Sequence, residues 1–203
     1  LGSFEEAVKL AKETKVKFLI SHLLPVQGRE SDYEKVLEKL SALPEDLDFH
    51  FSLYTSTTRI LKLYTFLPTW AQKDDLDVMS LSLEDDWMRE KITKDLPKID
   101  PKKFTVAQAP GNDSLVGASL FELKKIFSLK NYEETLIKLM RTTRLRAIIF
   151  YENINEDLLR SAILNSRAII ASNAASIKEN KTVKTLKPER SISTFPKLIK
   201  MAL

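Results

Sequence analysis

The residues with the clearest capacity to bind a ligand lie in a polar loop between a buried strand and a helix. The segment 103–129 (KFTVAQAPGNDSLVGASLFELKKIFSL) predicts a strand, a glycine-containing loop and a helix with one apolar face. At such a junction, backbone N–H groups of the helix N-terminus can bind an anion, and ligands of open α/β sheets lie beyond the carboxyl ends of the strands. We therefore expect this loop to bind an anionic group through Gln108, Gly111, Asn112 and Ser114.

The same loop lacks the features of a triphosphate-binding P-loop. Five residues separate Gly111 from Gly117, where the motif has four, and Ala118 stands where the motif has its phosphate-binding lysine. Asp113 adds a negative charge that would repel phosphate. The chain also contains no G-x-G-x-x-G sequence. These departures argue against a P-loop nucleotide site.

A second group of candidates follows the strand predicted at 48–55. Thr55, Ser56, Thr57 and Arg59 offer hydroxyl and guanidinium groups that could bind a second phosphate. His22, at the end of the strand predicted at 15–24, is a candidate general acid or base. Helix N-caps and packed histidines explain the same residue types, and both alternatives stay open.

The portion from about residue 15 to 127 is similar to the NAD(P)-binding half of ferredoxin-reductase-like flavoproteins. In that family a strand end with Ser/Thr and Arg binds the 2′-phosphate of the cofactor, as the residues from Thr55 to Arg59 could here. A later family strand ends in Cys-Gly-Pro, where this chain has Gln108-Ala109-Pro110-Gly111. The resemblance implies NADP as a cofactor; no intrinsic cofactor is otherwise indicated.

Alternating apolar strands and amphipathic helices predict the fold class. About six strands of mostly continuous Val, Ile, Leu and Phe favour a mainly parallel sheet with helices on both faces, as in a three-layer Rossmann-like α/β domain. We expect one domain over 1–203, with a division into two lobes near 128–131 as the alternative. A helix from Thr57 or Thr58 to Leu67 is predicted between the second and third strands. The predicted strands are 15–24, 48–55, 77–83, 104–107, 145–151 and 167–172.

The positive charge of the chain is concentrated at its C-terminal end. Residues 178–203 hold seven basic and two acidic side chains, whereas the rest of the chain is close to neutral. A basic segment that ends in a helix could contact nucleic acid or a protein partner. Its candidate contact residues are Lys178, Lys181, Lys184, Lys187 and Arg190.

Composition limits the function classes further. The 203 residues include no cysteine, two histidines and four glycines, so thiol chemistry and disulfides are excluded and no metal site is proposed. No apolar run is long enough to span a bilayer and no secretory signal opens the sequence, so we expect a soluble intracellular protein.

Two functions follow from these observations, and whether the protein is an enzyme stays open. The first is a non-catalytic α/β module that binds another protein, with Tyr54, Tyr64, Trp70 and Trp87 as candidate contacts. The alternative is an enzyme domain that binds a nucleotide or NAD(P) at the strand ends. Nucleic-acid binding through the basic segment is the third hypothesis.

Overall fold

The computed structural model describes residues 2–73, 75–173 and 184–202, which form eight α-helices and six β-strands. Short 3₁₀ helices occur at Leu63–Phe66, Thr69–Ala71 and Asp113–Leu115. In chain order, the elements are α1 (Gly2–Thr14), β1 (Phe18–Ile20), α2 (Glu30–Ser41), β2 (Phe49–Leu53), β3 (Thr58–Lys62), α3 (Leu76–Ser82), α4 (Asp86–Lys94), β4 (Phe104–Gln108), α5 (Leu120–Ile126), α6 (Tyr132–Thr142), β5 (Ile148–Glu152), α7 (Glu156–Ile163), β6 (Ala168–Ile170) and α8 (Arg190–Ala202).

These elements belong to two compact units. Within the described residues, unit 1 comprises 2–57, 153–173 and 189–202, and unit 2 comprises 58–73, 75–152 and 184–188. Residues 128–131, the alternative break suggested by the sequence, lie inside unit 2. The organisation as a single domain stays a prediction.

Unit 1 is built on a parallel sheet in the order β1-β2-β6. Phe49, Phe51 and Leu53 point to one face of β2 and are fully buried. Helices α1, α2 and α7 cover this face with an apolar cluster, in which the ring of Phe49 stacks on Phe18 at 5.3 Å. On the other face, Leu19 and Ile169 are 52% and 44% exposed. The core of unit 1 therefore lies on one side of its sheet.

Unit 2 contains an antiparallel sheet in the order β3-β5-β4. Its core is a separate cluster that joins the sheet residues Phe104, Val106 and Ile149 to apolar side chains of α3, α4, α5 and α6. Each unit thus has a hydrophobic core of its own.

The prediction of a six-stranded, mainly parallel Rossmann-like sheet was wrong. The described strands form two three-stranded sheets, and only the sheet of unit 1 is parallel. Strands β4 and β5, predicted as members of the mainly parallel sheet, pair with each other in antiparallel orientation. A continuous run of Val, Ile and Phe signals burial of a strand but says nothing of its direction.

Two elements were also assigned to the wrong class. The predicted strand 77–83 is the helix α3, because the Asp75 carboxylate caps the N–H groups of Asp77 and Val78, and Met79 and Leu83 are buried one helical turn apart. The predicted helix from Thr57 or Thr58 to Leu67 begins instead as strand β3, which the β-branched Thr58 and Ile60 favour. No helix in the described residues is long and apolar enough to cross a membrane.

Candidate functional site

The buried ring of Tyr54 lies at the centre of a polar cluster just beyond the carboxyl end of β2. Tyr54 is 1% exposed, although the sequence suggested an exposed contact. The ring of His22, two residues beyond β1, makes an edge-to-face contact with it at 6.3 Å. The guanidinium carbon of Arg190 lies 4.5 Å from the centre of the same ring. The cluster thus combines an imidazole, a phenol and a guanidinium.

Arg190 is the first residue of α8 and is only 8% exposed. Its Nη2 donates to the main-chain carbonyl of Asn173 at 3.2 Å, and its buried Nε has no hydrogen-bond partner. Within the part of the chain that the structure describes, no carboxylate forms an ion pair with it. Buried charges are normally paired, but among the described residues the contacts of this guanidinium are a main-chain carbonyl and an aromatic ring.

The neighbours of Arg190 also have unsatisfied polar atoms. The Nδ2 of Asn173 and the Oγ of Ser191 are buried without a hydrogen-bond partner. Asn173 and His22 both have positive φ, 47° and 61°, a backbone region that costs free energy in residues other than glycine. The positive φ values occur after β1 and β6, and the unpaired atoms lie after β6 and at the start of α8. Buried unpaired atoms and backbone strain both require a physical explanation, and a bound ligand would provide one.

Hydrogen bonds fix the first turns of α8 beside β2. The Thr55 hydroxyl donates to the main-chain carbonyl of Thr194 at 3.0 Å, and the Thr194 hydroxyl donates to the carbonyl of Arg190 at 2.7 Å. Thr55 and Thr194 are both buried. Thr55, predicted as a phosphate ligand, therefore uses its hydroxyl proton to position the helix that carries Arg190.

The end of β1 is fixed in a similar way. The N–H of His22 lies 3.3 Å from the Oγ of Ser52, and the Leu23 N–H donates to the Ser52 carbonyl. The Tyr33 hydroxyl, from α2, donates to the Leu23 carbonyl at 3.3 Å. Burial raises the pKa of Tyr33, which keeps the phenol protonated and able to donate.

The other predicted ligand residues are divided between the units. Ser56 and Thr57 lie in unit 1, whereas Arg59 lies on β3 in unit 2 together with the loop 108–114. The NADP site predicted from these two groups stays a prediction. The premise of parallel strand ends, however, fails for the loop, because β4 belongs to the antiparallel sheet.

The loop 108–114 is held by contacts within unit 2. Gln108 forms a β-bridge with Thr185, and the Asn112 side chain donates to the carbonyls of Pro110 and Thr142, both at 3.3 Å. Gly111 and Ser114 are exposed. The loop ends in the 3₁₀ helix Asp113–Leu115 and α5 begins only at Leu120, so the expected α-helix N-terminus is not adjacent to the loop.

The remaining aromatic and basic candidates have different environments. In unit 2, the ammonium of Lys91 lies 4.7 Å from the ring centre of Trp70 and 5.5 Å from that of Trp87. Tyr64 is partly buried. Lys184 and Lys187 are exposed, and Lys178 and Lys181 lie outside the described residues.

The fold, but not the sequence, matches known proteins. No protein-family model and no curated protein matches the chain. The structure resembles N-acyl-D-glutamate deacylase from Bordetella bronchiseptica, solved with zinc and a phosphonate inhibitor, at a TM-score of 0.51 and 11% identity. It also resembles a D-aminoacylase, described as defining a subset of amidohydrolases, at a TM-score of 0.50 and 15% identity. At these identities the likeness shows the fold alone.

The two matches cover most of this chain but a minor part of the enzymes. They extend over 85% and 84% of this chain, which in turn spans 29% of each of the two solved chains. Amidohydrolases are a different class from both functions predicted from the sequence.

The strand-end residues of unit 1 do not fit the zinc that the first neighbour contains. Zinc sites use three or four ligands from His, Cys, Asp and Glu. Among the described residues, no group of three or more such side chains could hold a metal ion. His22 lies beyond the end of β1 and Asn173 beyond the end of β6. These two strand ends therefore offer one imidazole and one amide.

Arg190 is the residue whose role the sequence did not reveal. It was assigned to the basic segment as one of five exposed-type charges. Pro188, two residues before Arg190, is the sequence signal consistent with the helix start that the structure places at Arg190.

Proposed function

We propose that the strand ends of unit 1 bind a small carboxylate ligand, with Arg190 as the anion-binding residue. The observation that carries the proposal is the buried guanidinium without a carboxylate partner in the described residues. A guanidinium presents N–H groups in a planar fork that matches a carboxylate, and such charge-assisted hydrogen bonds are about twice as strong as neutral ones. An anion here would also lie at the N-terminus of α8, where the helix dipole is favourable.

The structural neighbours support a choice of ligand class. By their names, they act on N-acyl-D-glutamate and on N-acylated D-amino acids, and all of these carry a carboxylate beside an acylated nitrogen. The neutral donors around Arg190 suit the amide portion of such a molecule. We therefore propose an N-acyl amino acid as the ligand class.

The test is calorimetric titration with N-acetyl-D-glutamate. In Arg190→Met we expect affinity at least tenfold lower, because a hydrogen bond to a charged group contributes about 1.5–3 kcal/mol. The matched control is Arg160→Met on α7, whose guanidinium pairs with Glu156 on an exposed helix face. Equal affinity in all three proteins, with Arg190→Met shown to be folded by circular dichroism, would contradict the proposal.

Protein binding is a second candidate function, and one observation favours it. Ile192, Phe195 and Ile199 form an apolar stripe on α8 with exposed fractions of 83%, 54% and 62%. Lys200 is exposed on the same helix. Apolar residues at this spacing on an exposed helix are typical of a surface that docks into a groove of another protein. The double substitution Ile192→Asp with Ile199→Asp should abolish capture of a partner, whereas Leu164→Asp on α7 should not.

A further inference from the structure

The buried unpartnered atoms at the end of β6 are hydrogen-bond donors. They include the Nε of Arg190 and the Nδ2 of Asn173, and the contact of Arg190 Nη2 with the main-chain carbonyl of Asn173 joins the two residues. The Oγ of Ser191, which is also buried without a partner, can donate as well. An N–H group has no lone pair to offer a metal ion, and it needs an acceptor atom. A carboxylate provides acceptors for several donors at once, whereas a cation provides none.

Electrostatics point in the same direction. A buried guanidinium repels a divalent cation, and the repulsion is strong where water does not screen it. Of the side chains that end β1, β2 and β6, only His22 is an ordinary zinc ligand; Tyr54, Thr55 and Asn173 are neutral. One imidazole beside a buried positive charge is a poor zinc site.

We infer that this site binds its carboxylate ligand directly through Arg190 and Asn173, with no zinc ion between ligand and protein. The inference rests on the proposed function and separates this chain from the zinc-containing deacylase that shares its fold. The ligand then makes the same contacts in the presence and absence of zinc.

Asn173 provides a test that depends on charge and hardly on shape. Asn173→Asp replaces the amide by a carboxylate of nearly the same size, beside Arg190. The new carboxylate would pair with the guanidinium and occupy the place of the ligand. We expect a loss of N-acetyl-D-glutamate affinity of at least tenfold, with unchanged or higher thermal stability. The control Asn165→Asp alters an amide elsewhere in unit 1, where it contacts Ser41.

The deciding experiment compares titrations of N-acetyl-D-glutamate in excess EDTA and in excess zinc chloride, together with a titration of zinc alone. Equal affinities in both buffers and no stoichiometric zinc binding are expected. Ligand binding only with zinc would overturn the inference and leave the proposed function intact. Stoichiometric zinc binding that is lost in His22→Ala would also overturn it. No ligand binding in either buffer would overturn both the inference and the proposed function.

Discussion

At the scale of single residues, two arginines of unit 1 have opposite roles. Arg190 is buried with an unpartnered Nε, whereas both terminal nitrogens of Arg167 donate to main-chain carbonyls. Its Nη1 donates to the carbonyls of Leu47 and Phe49 at 2.8 and 3.1 Å, and its Nη2 donates to those of Leu43 and Pro44 at 3.0 and 2.7 Å. Arg167 therefore fixes the segment between α2 and β2, whereas the Nε of Arg190 has no partner that would give it such a structural role.

We expect Arg167→Lys to lower the free energy of unfolding by about 1–3 kcal/mol. A lysine ammonium cannot reproduce the planar fork, so several of the four carbonyls would lose their donor. Urea denaturation measures the change. Arg160→Lys is the control, because its exposed pair with Glu156 on α7 should change the stability by less than about 0.5 kcal/mol. A loss no greater than that of the control would show that the four contacts contribute little.

Neither arginine role could be read from the sequence. Arg167 and Arg190 each stand next to ordinary helix and strand patterns, and the carbonyls that Arg167 contacts lie about 120 residues away along the chain. The polar residues that follow the strands of unit 1 do contact one another or α8: His22 contacts Tyr54, and the Asn173 carbonyl accepts from Arg190. Local pattern places a residue at a strand end, but only tertiary structure decides its partner.

At the scale of elements, helix α5 shows how a local motif sets a boundary. The Ser119 Oγ accepts a hydrogen bond from the Glu122 N–H at 3.2 Å, and Glu122 Oε2 accepts one from the Ser119 N–H at 2.7 Å. This capping box begins the helix at Leu120. We expect Ser119→Ala to cost about 1 kcal/mol of stability, as measured by thermal unfolding.

The same motif predicts a pH dependence. Hydrogen bonds from the Ser119 main chain and hydroxyl lower the pKa of Glu122 below its ordinary value. A lowered carboxyl pKa contributes stability above the unfolded pKa, and the contribution disappears as pH falls through the folded pKa. The stability difference between the wild type and Glu122→Gln should therefore shrink on acidification below the ordinary glutamate range. A difference that is constant with pH would show that the charge of Glu122 does not stabilise the helix.

The elements that sequence reasoning misassigned lie in unit 2, where short-range signals conflict. In α3, Val78 and Leu81 are exposed although they are apolar, and this produced the apparent strand alternation over 77–83. In β3, apolar residues recur at a spacing that is also compatible with a helix. The segment forms a strand because it pairs with β5. In helices α6 and α7, by contrast, the local signals agree, because a capping asparagine precedes a buried apolar stripe.

At the scale of the whole molecule, the fold prediction failed because one unit is inserted between neighbouring strands of the other. Strands β2 and β6 pair in parallel, yet more than a hundred residues separate them, including all three strands of unit 2. Sequence order is a good guide to strand neighbours only when connections are short. The alternation of strands and helices was largely correct, but their distribution between two sheets was not visible in it.

Because each unit has its own hydrophobic core, we expect a cavity in one core to destabilise that unit and not the other. Leu40 in unit 1 and Leu139 in unit 2 are both fully buried, and each belongs to the core of its own unit. Each substitution by alanine should cost about 2–5 kcal/mol, because it removes buried methyl groups and leaves a cavity. Hydrogen exchange, read residue by residue, should then show faster exchange in α2 and α7 for Leu40→Ala, and in α5 and α6 for Leu139→Ala. Faster exchange in both units from either substitution would show instead that the two cores unfold as one cooperative structure.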